Sequence, residues 1–259
     1  EYRRNQYAKI LFEKRQRKGL NMEEALDLMF NPNYFGAMMV ETGEADAFLS
    51  GFSSKYADVI RPAIQIAGTN NPQRHIAGMY VVQTKKGSFF FADTTVNIQP
   101  SVQTIVDTTL LTAAAVERFG IQPRIALVSY SNFGSIREGS PGRVHEAVQV
   151  LHEKHPELIV DGEMQANFAF NPELRMKKFP FSKLKDHNVN TIIFPNLSSG
   201  NIAYKMMQEV GGAEVIGPVL LGLGKPIHIL QLESSVREIV NMASIAVVDA
   251  QCVHDNDCL

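Results

Sequence analysis

The order of apolar and polar residues along the chain alternates between a helical spacing and short apolar runs typical of buried strands. Apolar positions within 1–18 predict a helix that ends near Gly19, and Asn21 with Glu24 predicts a capping box at the start of a second helix. A third helix is expected up to Gly43, and the apolar run at 47–50 predicts a buried strand. The chain therefore opens with helices followed by a strand.

A proline and a hairpin signal mark the next part of the chain. The segment 53–67 has a helical pattern, but we expect a break at Arg61-Pro62, because proline lacks an N–H group and restricts the residue before it. Two strand-like runs, 76–84 and 88–95, are joined by three turn-forming residues and predict a β-hairpin.

From Ser101 onwards, helices and strands alternate regularly. Ser101 is expected to cap a long helix closed by Gly120, and Ser140 to cap another helix whose first residue is Pro141. The remaining predicted elements are strands at 124–130, 158–160, 191–194, 218–221 and 227–230, and helices at 141–155, 202–210 and from 235. Alternation of this kind predicts an α/β fold with a mostly parallel sheet.

Composition places the chain among ordinary globular proteins. It has 259 residues, of which 45% are hydrophobic, and 25 Lys and Arg stand against 27 Asp and Glu. No apolar run reaches the roughly 20 residues of a membrane span, and the charged N-terminal segment does not resemble a signal peptide. We therefore expect a cytoplasmic protein without a membrane partner. The two cysteines, Cys252 and Cys258, argue against a disulfide framework or a zinc site.

Positive charge is concentrated at the start of the chain. Residues 1–18 hold seven basic side chains and two acidic ones. This pattern fits a solvated helix face or a nucleic-acid-binding arm, and we favour the helix face because a run of charges on a helix is most often solvated. A nucleic-acid partner is not expected.

Three turns after predicted strands carry small, hydrogen-bonding or basic residues, which is where open α/β sheets bind ligands. These turns are 129–135, 195–201 and 222–226. Exposed N–H groups at such turns suit phosphate, although ordinary turn and cap chemistry explains each turn equally well. The third turn begins like a dinucleotide fingerprint but has Ile227 in place of the third glycine, so Lys225 remains as a phosphate contact or a plain surface lysine.

Other candidate chemistry is weaker. His152 and His155 lie three residues apart without a recognisable third ligand, so no metal site is expected. Asp161 and Glu163 end a predicted strand and are either catalytic acids or caps. Glu238 lies three residues after Ser235 and is interpreted first as the acid of a capping box and second as a catalytic acid.

Several longer runs resemble the phosphate acetyltransferase family, in that family's order and across nearly the whole chain. These runs are Gly43-Glu44-Ala45-Asp46-Ala47, Ile60-Arg61-Pro62-Ala63, Phe91-Ala92-Asp93, Ser129-Tyr130-Ser131, Val160-Asp161-Gly162-Glu163-Met164-Gln165, Phe194-Pro195-Asn196-Leu197, Gly200-Asn201-Ile202-Ala203-Tyr204-Lys205 and Gly217-Pro218-Val219-Leu220. More specific runs are similar to the C-terminal acetyltransferase-like domain of bacterial hybrid NADP-dependent malic enzymes. Examples are His75-Ile76-Ala77-Gly78-Met79-Tyr80 and Val247-Val248-Asp249-Ala250-Gln251.

The resemblance implies two αβ subdomains with an intervening cleft, an architecture like that of isocitrate dehydrogenase. Carried onto this chain, subdomain I comprises 1–121 and 219–259, and 122–218 form an inserted subdomain II. The resemblance also implies that the first strand of subdomain I and the malic enzyme domains lie upstream of residue 1.

The family's reaction transfers an acetyl group between phosphate and the thiol of coenzyme A, with a Ser-Arg-Gly-Cys stretch and a following aspartate. The positions that match are Gln231 to Ser234 and Glu238. Leu232 stands in place of the arginine and carries no charge. If the family's arginine acts as a typical oxyanion donor, its loss lowers the rate by roughly 10²–10³. Glu233 adds a negative charge at the next position. We therefore expect no catalytic residues, but a cleft that still recognises acetyl-CoA. The residues expected to line it are Arg61, Ser131, Gly134, Ser135, Asn201, Tyr204, Lys225 and Gln231.

These expectations favour a regulatory domain that binds acetyl-CoA as an allosteric ligand and forms a homodimer or a larger homo-oligomer. NADP and a divalent metal, Mg or Mn, are implied only for the malic enzyme domains of a parent protein that oxidises malate to pyruvate. Two alternatives stay open: an active phosphate acetyltransferase and a purely structural oligomerisation domain.

Overall fold

The computed structural model describes residues 1–69, 75–232 and 234–255. The helices are α1 (Tyr2–Arg15), α2 (Met22–Leu28), α3 (Pro32–Glu41), α4 (Tyr56–Ala67), α5 (Val102–Arg118), α6 (Gly139–Lys154), α7 (Ala166–Phe170), α8 (Pro172–Lys178), α9 (Leu197–Glu209) and α10 (Val236–Asp255), with a 3₁₀ turn at Gln16–Lys18. The strands are β1 (Phe48–Ser50), β2 (Ala77–Thr84), β3 (Gly87–Ala92), β4 (Ile125–Val128), β5 (Val160–Met164), β6 (Thr191–Ile193), β7 (Glu214–Leu221) and β8 (Ile227–Ile229). The predicted α/β class is confirmed.

The chain divides into two compact units, each described separately below. Unit 1 comprises Glu1–Arg74 and Gly222–Leu259, and unit 2 comprises His75–Leu221. The first boundary differs from the one predicted between 121 and 122, because the hairpin β2–β3 pairs with β6 and β7 and so joins the sheet of unit 2. The second boundary lies close to the one predicted between 218 and 219.

Unit 2 is built on a six-stranded sheet with the order β5-β4-β6-β3-β2-β7. The pairs β5–β4, β4–β6 and β6–β3 are parallel, whereas β2 runs antiparallel to both of its neighbours. The sheet is therefore mostly parallel, as predicted. The carboxyl ends of β3, β4, β5 and β6 consequently lie along one edge of the sheet.

Unit 1 contains a two-stranded parallel sheet of β1 and β8. Leu49 is opposite His228, and both strands are followed by short turns. His228 is buried, and its Nε2 lies 2.8 Å from Oδ2 of Asp249 on α10. This pair ties the last helix to the last strand of the unit.

Most local sequence signals gave the correct elements. Asn21 and Glu24 form the predicted capping box of α2, and Ser101 Oγ accepts a hydrogen bond from Thr104 N at the start of α5. The predicted hairpin is formed by β2 and β3, with Val81 opposite Phe90. These signals are short-range, and no tertiary contact overrides them.

The predicted break at Pro62 is wrong, since α4 continues through this residue. Proline removes the N–H that would bond to the carbonyl four residues earlier, which belongs to Asp58. That carbonyl instead accepts a hydrogen bond of 3.3 Å from Nδ2 of Asn33, a buried side chain that also accepts from Ser50 Oγ at 2.7 Å. A side chain of α3 thus replaces the missing backbone donor.

Two further predictions in unit 2 are corrected. Helix α6 begins at Gly139 with Glu138 as its N-cap residue, so Ser140 is not the cap. Asp161 and Glu163 lie inside β5 rather than after it, and both side chains are buried. Short apolar runs locate a strand but not its ends, because a buried strand can include carboxylates that find partners.

Arg175 organises the segment that follows β5. The side chain is completely buried and donates hydrogen bonds to the carbonyls of Phe168, Ala169, Leu184 and His187. Burial lowers the pKa of its guanidinium group. The single side chain holds together α7, α8 and the loop before β6.

The basic first helix is packed against its own unit. Arg3 lies 3.3 Å from a carboxylate oxygen of Glu44, and Lys14 pairs with Glu41. Cys252 is disulfide-bonded, which the sequence analysis did not expect, and Cys258 lies outside the described residues. Among the described helices, none is both long and apolar enough to cross a membrane.

Candidate functional site

The turn after β8 carries Gln231 to Ser234, which the sequence analysis matched with the family's catalytic stretch. Gln231 N donates to Ser234 Oγ at 3.1 Å, and this hydroxyl donates back to Gln231 O at 2.9 Å, so the turn is closed on itself. Leu232 is 59% exposed and brings no charge to the turn. Glu233 lies outside the described residues.

Glu238 forms the capping box that the sequence predicts. Its Oε2 accepts a hydrogen bond of 2.6 Å from Ser235 N, and Ser235 Oγ accepts one of 3.2 Å from Glu238 N. Both groups therefore satisfy backbone N–H donors at the start of α10. The cap interpretation is confirmed, and the carboxylate is already engaged.

Arg61 and Lys225 both lie in unit 1, Arg61 in the middle of α4 and Lys225 in the turn between β7 and β8. Arg61 is exposed. Burial raises the pKa of Tyr34, and the positive charge of Arg61 acts on that pKa in the opposite direction. Lys225 belongs to a turn that packs against the end of α4, where Gly224 N donates to Gly68 O at 3.2 Å. A Cβ at Gly224 would lie 2.5 Å from Ala67 O, so this close approach requires glycine.

The loop after β4, comprising Ser131–Ile136, is held by a buried carboxylate. Oε1 of Glu163 accepts hydrogen bonds from Ser131 Oγ at 2.9 Å and from Gly134 N at 2.8 Å. Ser131 is only 2% exposed, whereas Ser135 is exposed and its Oγ lies 2.8 Å from Ser131 Oγ. Ser131, Gly134 and Ser135 are thus brought together, with Glu163 beneath them.

Asn201 and Tyr204 lie on α9, which follows β6. Asn201 Nδ2 donates to Thr94 O at 3.3 Å, and a Cβ at Gly200 would lie 2.5 Å from Asp93 O. Tyr204 is 3% exposed and stacks on Tyr80 with ring centroids 4.0 Å apart. The start of α9 therefore packs closely on the loop after β3, and Tyr204 is placed for packing in the core.

Asp93 organises that neighbouring loop, and sequence reasoning gave it no separate role. Its Oδ1 accepts from the backbone N–H groups of Gly78, Thr95 and Val96, and its Oδ2 accepts from Asn97 N at 2.7 Å. The run Thr94-Thr95-Val96-Asn97 offers the signal that could have found it, because an aspartate before several small or polar residues commonly accepts their N–H groups.

The loops that follow β3, β4 and β6 lie at one edge of the unit 2 sheet, as expected for ligand sites in α/β proteins. This edge holds the predicted residues Ser131, Gly134, Ser135 and Asn201. Of the other four predicted contacts, Tyr204 lies in the core of unit 2, and Arg61, Lys225 and Gln231 lie in unit 1. Among the described residues, no group of three His, Cys, Asp or Glu side chains is placed to hold a metal ion.

A family model described as phosphate acetyl/butaryl transferase matches residues 1–247. The chain belongs to this family. The phosphate acetyltransferase of Bacillus subtilis (strain 168) is 36% identical over 236 residues, which cover 91% of this chain and 73% of that protein. The resemblance deduced from the sequence motifs is confirmed at the level of the family.

Two further relatives are a solved phosphotransacetylase structure with a similar fold and a malic enzyme that contains a similar segment. A phosphotransacetylase from Streptococcus pyogenes has a similar structure, with a TM-score of 0.87 and 33% identity over 98% of this chain and 75% of that one. The NADP-dependent malic enzyme of Escherichia coli (strain K12) is 37% identical over 242 residues, 93% of this chain. The match spans 32% of that malic enzyme's length, so most of that enzyme has no counterpart in this chain.

Proposed function

We propose that this phosphate acetyltransferase-family domain binds acetyl-CoA without transferring its acetyl group, and that it regulates a malic enzyme to which it is attached. The proposal depends on the turn after β8, where the resemblance matches Gln231 and Leu232 with the family's serine and arginine, and where Leu232 is exposed and uncharged. Phosphoryl and oxyanion charge needs a cation or several hydrogen-bond donors, and Leu232 provides neither.

Glu238 gives further support to the loss of catalysis. A catalytic carboxylate must accept a proton from the thiol of coenzyme A, whereas this one accepts the N–H of Ser235 at 2.6 Å. Its Oε2 is engaged in the cap of α10, so only Oε1 could take up that proton without breaking the cap. The interaction that the structure gives this carboxylate is therefore the cap of α10.

The malic enzyme of Escherichia coli supports the regulatory part of the proposal. That protein contains a segment similar to this chain that amounts to about a third of its length. In such a protein the oxidation of malate to pyruvate, with NADP and Mg or Mn, belongs to the other domains. Acetyl-CoA is formed from pyruvate in one further step, so feedback on malate oxidation follows from the chemistry.

In unit 1, the proposed ligand contacts are exposed Arg61 and half-buried Lys225, whose positive charges suit the phosphates of coenzyme A, and exposed Gln231 as a hydrogen-bonding group. In unit 2, they are exposed Ser135 and half-buried Asn201, both as hydrogen-bonding groups. Ser131 and Gly134 act by shaping the loop after β4, since their polar groups are bonded to Glu163. We further propose that the domain forms a homodimer or larger homo-oligomer in the cytoplasm.

Two measurements on the intact protein distinguish this proposal from its alternatives. Coenzyme A and acetyl phosphate are mixed with the protein while thioester absorbance is followed, and thermal unfolding is recorded with and without acetyl-CoA. We expect no thioester formation, together with stabilisation of about 2.7 kcal/mol when acetyl-CoA is at about 100 times its Kd. Rapid thioester formation would establish an active phosphate acetyltransferase, and absence of any thermal shift would leave only a structural oligomerisation role.

A variant pair tests the proposed contacts. Arg61→Ala is expected to weaken acetyl-CoA binding severalfold, because it removes a cation that a phosphate can pair with. Arg17→Ala removes another exposed arginine of unit 1 and is expected to leave binding unchanged. In a malic enzyme that carries this domain, its deletion is expected to keep malate oxidation and abolish the response to acetyl-CoA.

A further inference from the structure

Phe181 is a large aromatic side chain that the structure leaves open to solvent. It lies between α8 and β6 in unit 2 and is 68% exposed, whereas the next residue, Ser182, is only 1% exposed. A single exposed apolar side chain is common on protein surfaces, so its surroundings decide whether it has a role. Three features of these surroundings point to a ligand.

The first feature is the rigid backbone on which Phe181 lies. Asp161, a buried residue of β5, accepts hydrogen bonds at its Oδ2 from Ser182 Oγ at 2.7 Å and from Lys183 N at 2.8 Å. Buried Arg175 donates from Nε and from Nη2 to the carbonyl of Leu184. Hydrogen bonds to charged groups are strong, and they hold the segment 179–185 in one conformation. A group that binds to Phe181 therefore pays little of the usual cost of ordering a loop.

The second feature is the contact between Phe181 and the candidate ligand loop. The ring of Phe133, a residue of the loop after β4, has its centroid 5.0 Å from that of Phe181 and 4.7 Å from that of Phe179. The φ angle of Phe133 is 48°, which bulky residues seldom adopt and which persists only where neighbouring contacts fix it. Phe181 thus lies at the same edge of the unit 2 sheet as the loop after β4.

The third feature is the charge of the surrounding chain. Residues 176–186 include four exposed lysines and one exposed acidic residue, namely Lys177, Lys178, Lys183, Lys185 and Asp186. An open aromatic ring among positive charges suits a ligand that joins a flat ring to phosphate groups. Coenzyme A contains such a part, because its adenine ring is attached to a ribose that carries phosphates.

We propose that Phe181 is the surface on which the adenine ring of acetyl-CoA stacks, with the neighbouring lysines attracting the phosphates of the same nucleotide half. This inference rests on the proposed function for its ligand and adds which part of the coenzyme unit 2 recognises. Stacking removes apolar surface of both rings from water, and the ring of Phe181 is already fixed and exposed. Recognition of the adenine therefore needs neither the thioester nor a movement of the backbone.

A fluorescent variant tests the contact directly. The chain contains no tryptophan, so Phe181→Trp introduces a single indole whose emission is quenched when an adenine ring stacks on it. In the intact protein, we expect quenching by saturating acetyl-CoA and by the nucleotide half alone, which is adenosine diphosphate with a third phosphate on the ribose. S-acetylpantetheine lacks the nucleotide and should not quench. Phe119→Trp, at another exposed aromatic residue of unit 2 between α5 and β4, should respond to none of them.

Binding constants measured by calorimetry give the size of the effect. Phe181→Ala is expected to weaken acetyl-CoA binding by about 5- to 150-fold, the range for loss of an aromatic side chain on which a base stacks. Phe181→Leu keeps an apolar contact for Phe133 but offers no flat face, so it should weaken binding to a similar extent. The affinity for S-acetylpantetheine should stay the same in both variants, and Phe119→Ala should bind both compounds as the wild type does.

The outcomes separate this inference from the proposed function. If the wild type does not bind acetyl-CoA, the proposed function fails, and quenching of Phe181→Trp by the nucleotide half alone then decides the role of the ring. If the wild type binds acetyl-CoA and Phe181→Ala binds it equally well, the inference fails while the proposed function stands.

Two further results would also overturn the inference. Equal weakening of acetyl-CoA and S-acetylpantetheine binding would show that Phe181 acts only by supporting the loop after β4. A change of oligomeric state in Phe181→Ala, measured by sedimentation velocity without ligand, would show that a second copy of the chain covers the ring.

Discussion

Replacement of Glu238 tests whether the carboxylate is a cap or a catalyst. In the structure it accepts the N–H of Ser235 at 2.6 Å, while its own N–H donates to Ser235 Oγ at 3.2 Å. Glu238→Ala removes one of these two bonds and the negative charge at the start of α10. Glu238→Gln keeps an acceptor oxygen in the same place and removes only the charge.

The expected magnitudes follow from these two contributions. Loss of a helix-capping side chain costs about 1 kcal/mol, and a negative charge near a helix N-terminus contributes about 0.3–1 kcal/mol. Glu238→Ala should therefore lower the free energy of unfolding by about 1–2 kcal/mol, and Glu238→Gln by less than about 1 kcal/mol. Neither substitution should change acetyl transfer, because the wild type is expected to have none.

Urea unfolding followed by circular dichroism gives the stabilities, and thioester absorbance gives the activity. Glu24 of α2 provides a matched control, because it forms the same kind of box with Asn21 at 2.9 and 3.0 Å and has no proposed link to the ligand. Glu24→Ala should cost about as much as Glu238→Ala. If the wild type transfers acetyl groups and Glu238→Gln abolishes this activity at unchanged stability, the cap interpretation is refuted.

Three further predictions concern stability. Arg175→Met should cost at least about 3 kcal/mol in urea unfolding, because it leaves several buried carbonyls without donors; a loss below about 1 kcal/mol would show that water replaces the guanidinium. Asn33→Ala should lower the free energy of unfolding by about 1–3 kcal/mol, because the carbonyl of Asp58 loses its donor. Adding Pro62→Ala should restore part of this loss, because alanine supplies a backbone N–H for that carbonyl. Additive effects of the two substitutions in a double-mutant cycle would contradict the proposed compensation. Burial raises the pKa of Tyr34 and that of Tyr7 above the usual value of 10.0. The stability that these two groups contribute is therefore present below pH 10, and it is lost as the pH rises through their raised pKa values in the folded protein. Tyr34→Phe should therefore lose less stability than the wild type above pH 10, and parallel alkaline unfolding curves would exclude this cause.

Local signals in the sequence predicted most of the fold. The capping boxes at Asn21 and Ser235, the cap at Ser101 and the β2–β3 hairpin depend on residues a few positions apart, and the structure contains all four. The family motifs extended the prediction to the whole chain. Such features need no knowledge of tertiary neighbours.

The errors arise where a distant residue changes the outcome. Pro62 stays within a helix because Asn33, on another helix, bonds to the carbonyl that proline leaves free. No prediction was made for Arg175, and its complete burial depends on carbonyl groups as far along the chain as His187. Glu163 looked like a catalytic acid or a cap, and its actual partners come from a loop and a helix earlier in the chain.

The residues of the candidate ligand site could be predicted only in part from the sequence. Sequence position places Ser131 and Asn201 after strands, and the parallel sheet brings their loops to one edge. The burial of Ser131 and the stacking of Tyr204 on Tyr80 depend on packing that no spacing rule contains. Neither side chain is exposed, so the structure does not favour either as a direct ligand contact.

The division of the chain into units has a consequence for its synthesis on the ribosome. Unit 2 is made from one continuous stretch, His75–Leu221, so all of its strands have been synthesised before the last segment is translated. Unit 1 lacks β8 and α10 until the end, and β1 has no parallel partner during that time. Although nascent domains commonly form in order from the N-terminus, here the second unit can be completed first. A nascent chain whose β8 has not yet left the ribosome would thus have an unfinished unit 1, and α1 to α4 would be the part that chaperones and proteases meet.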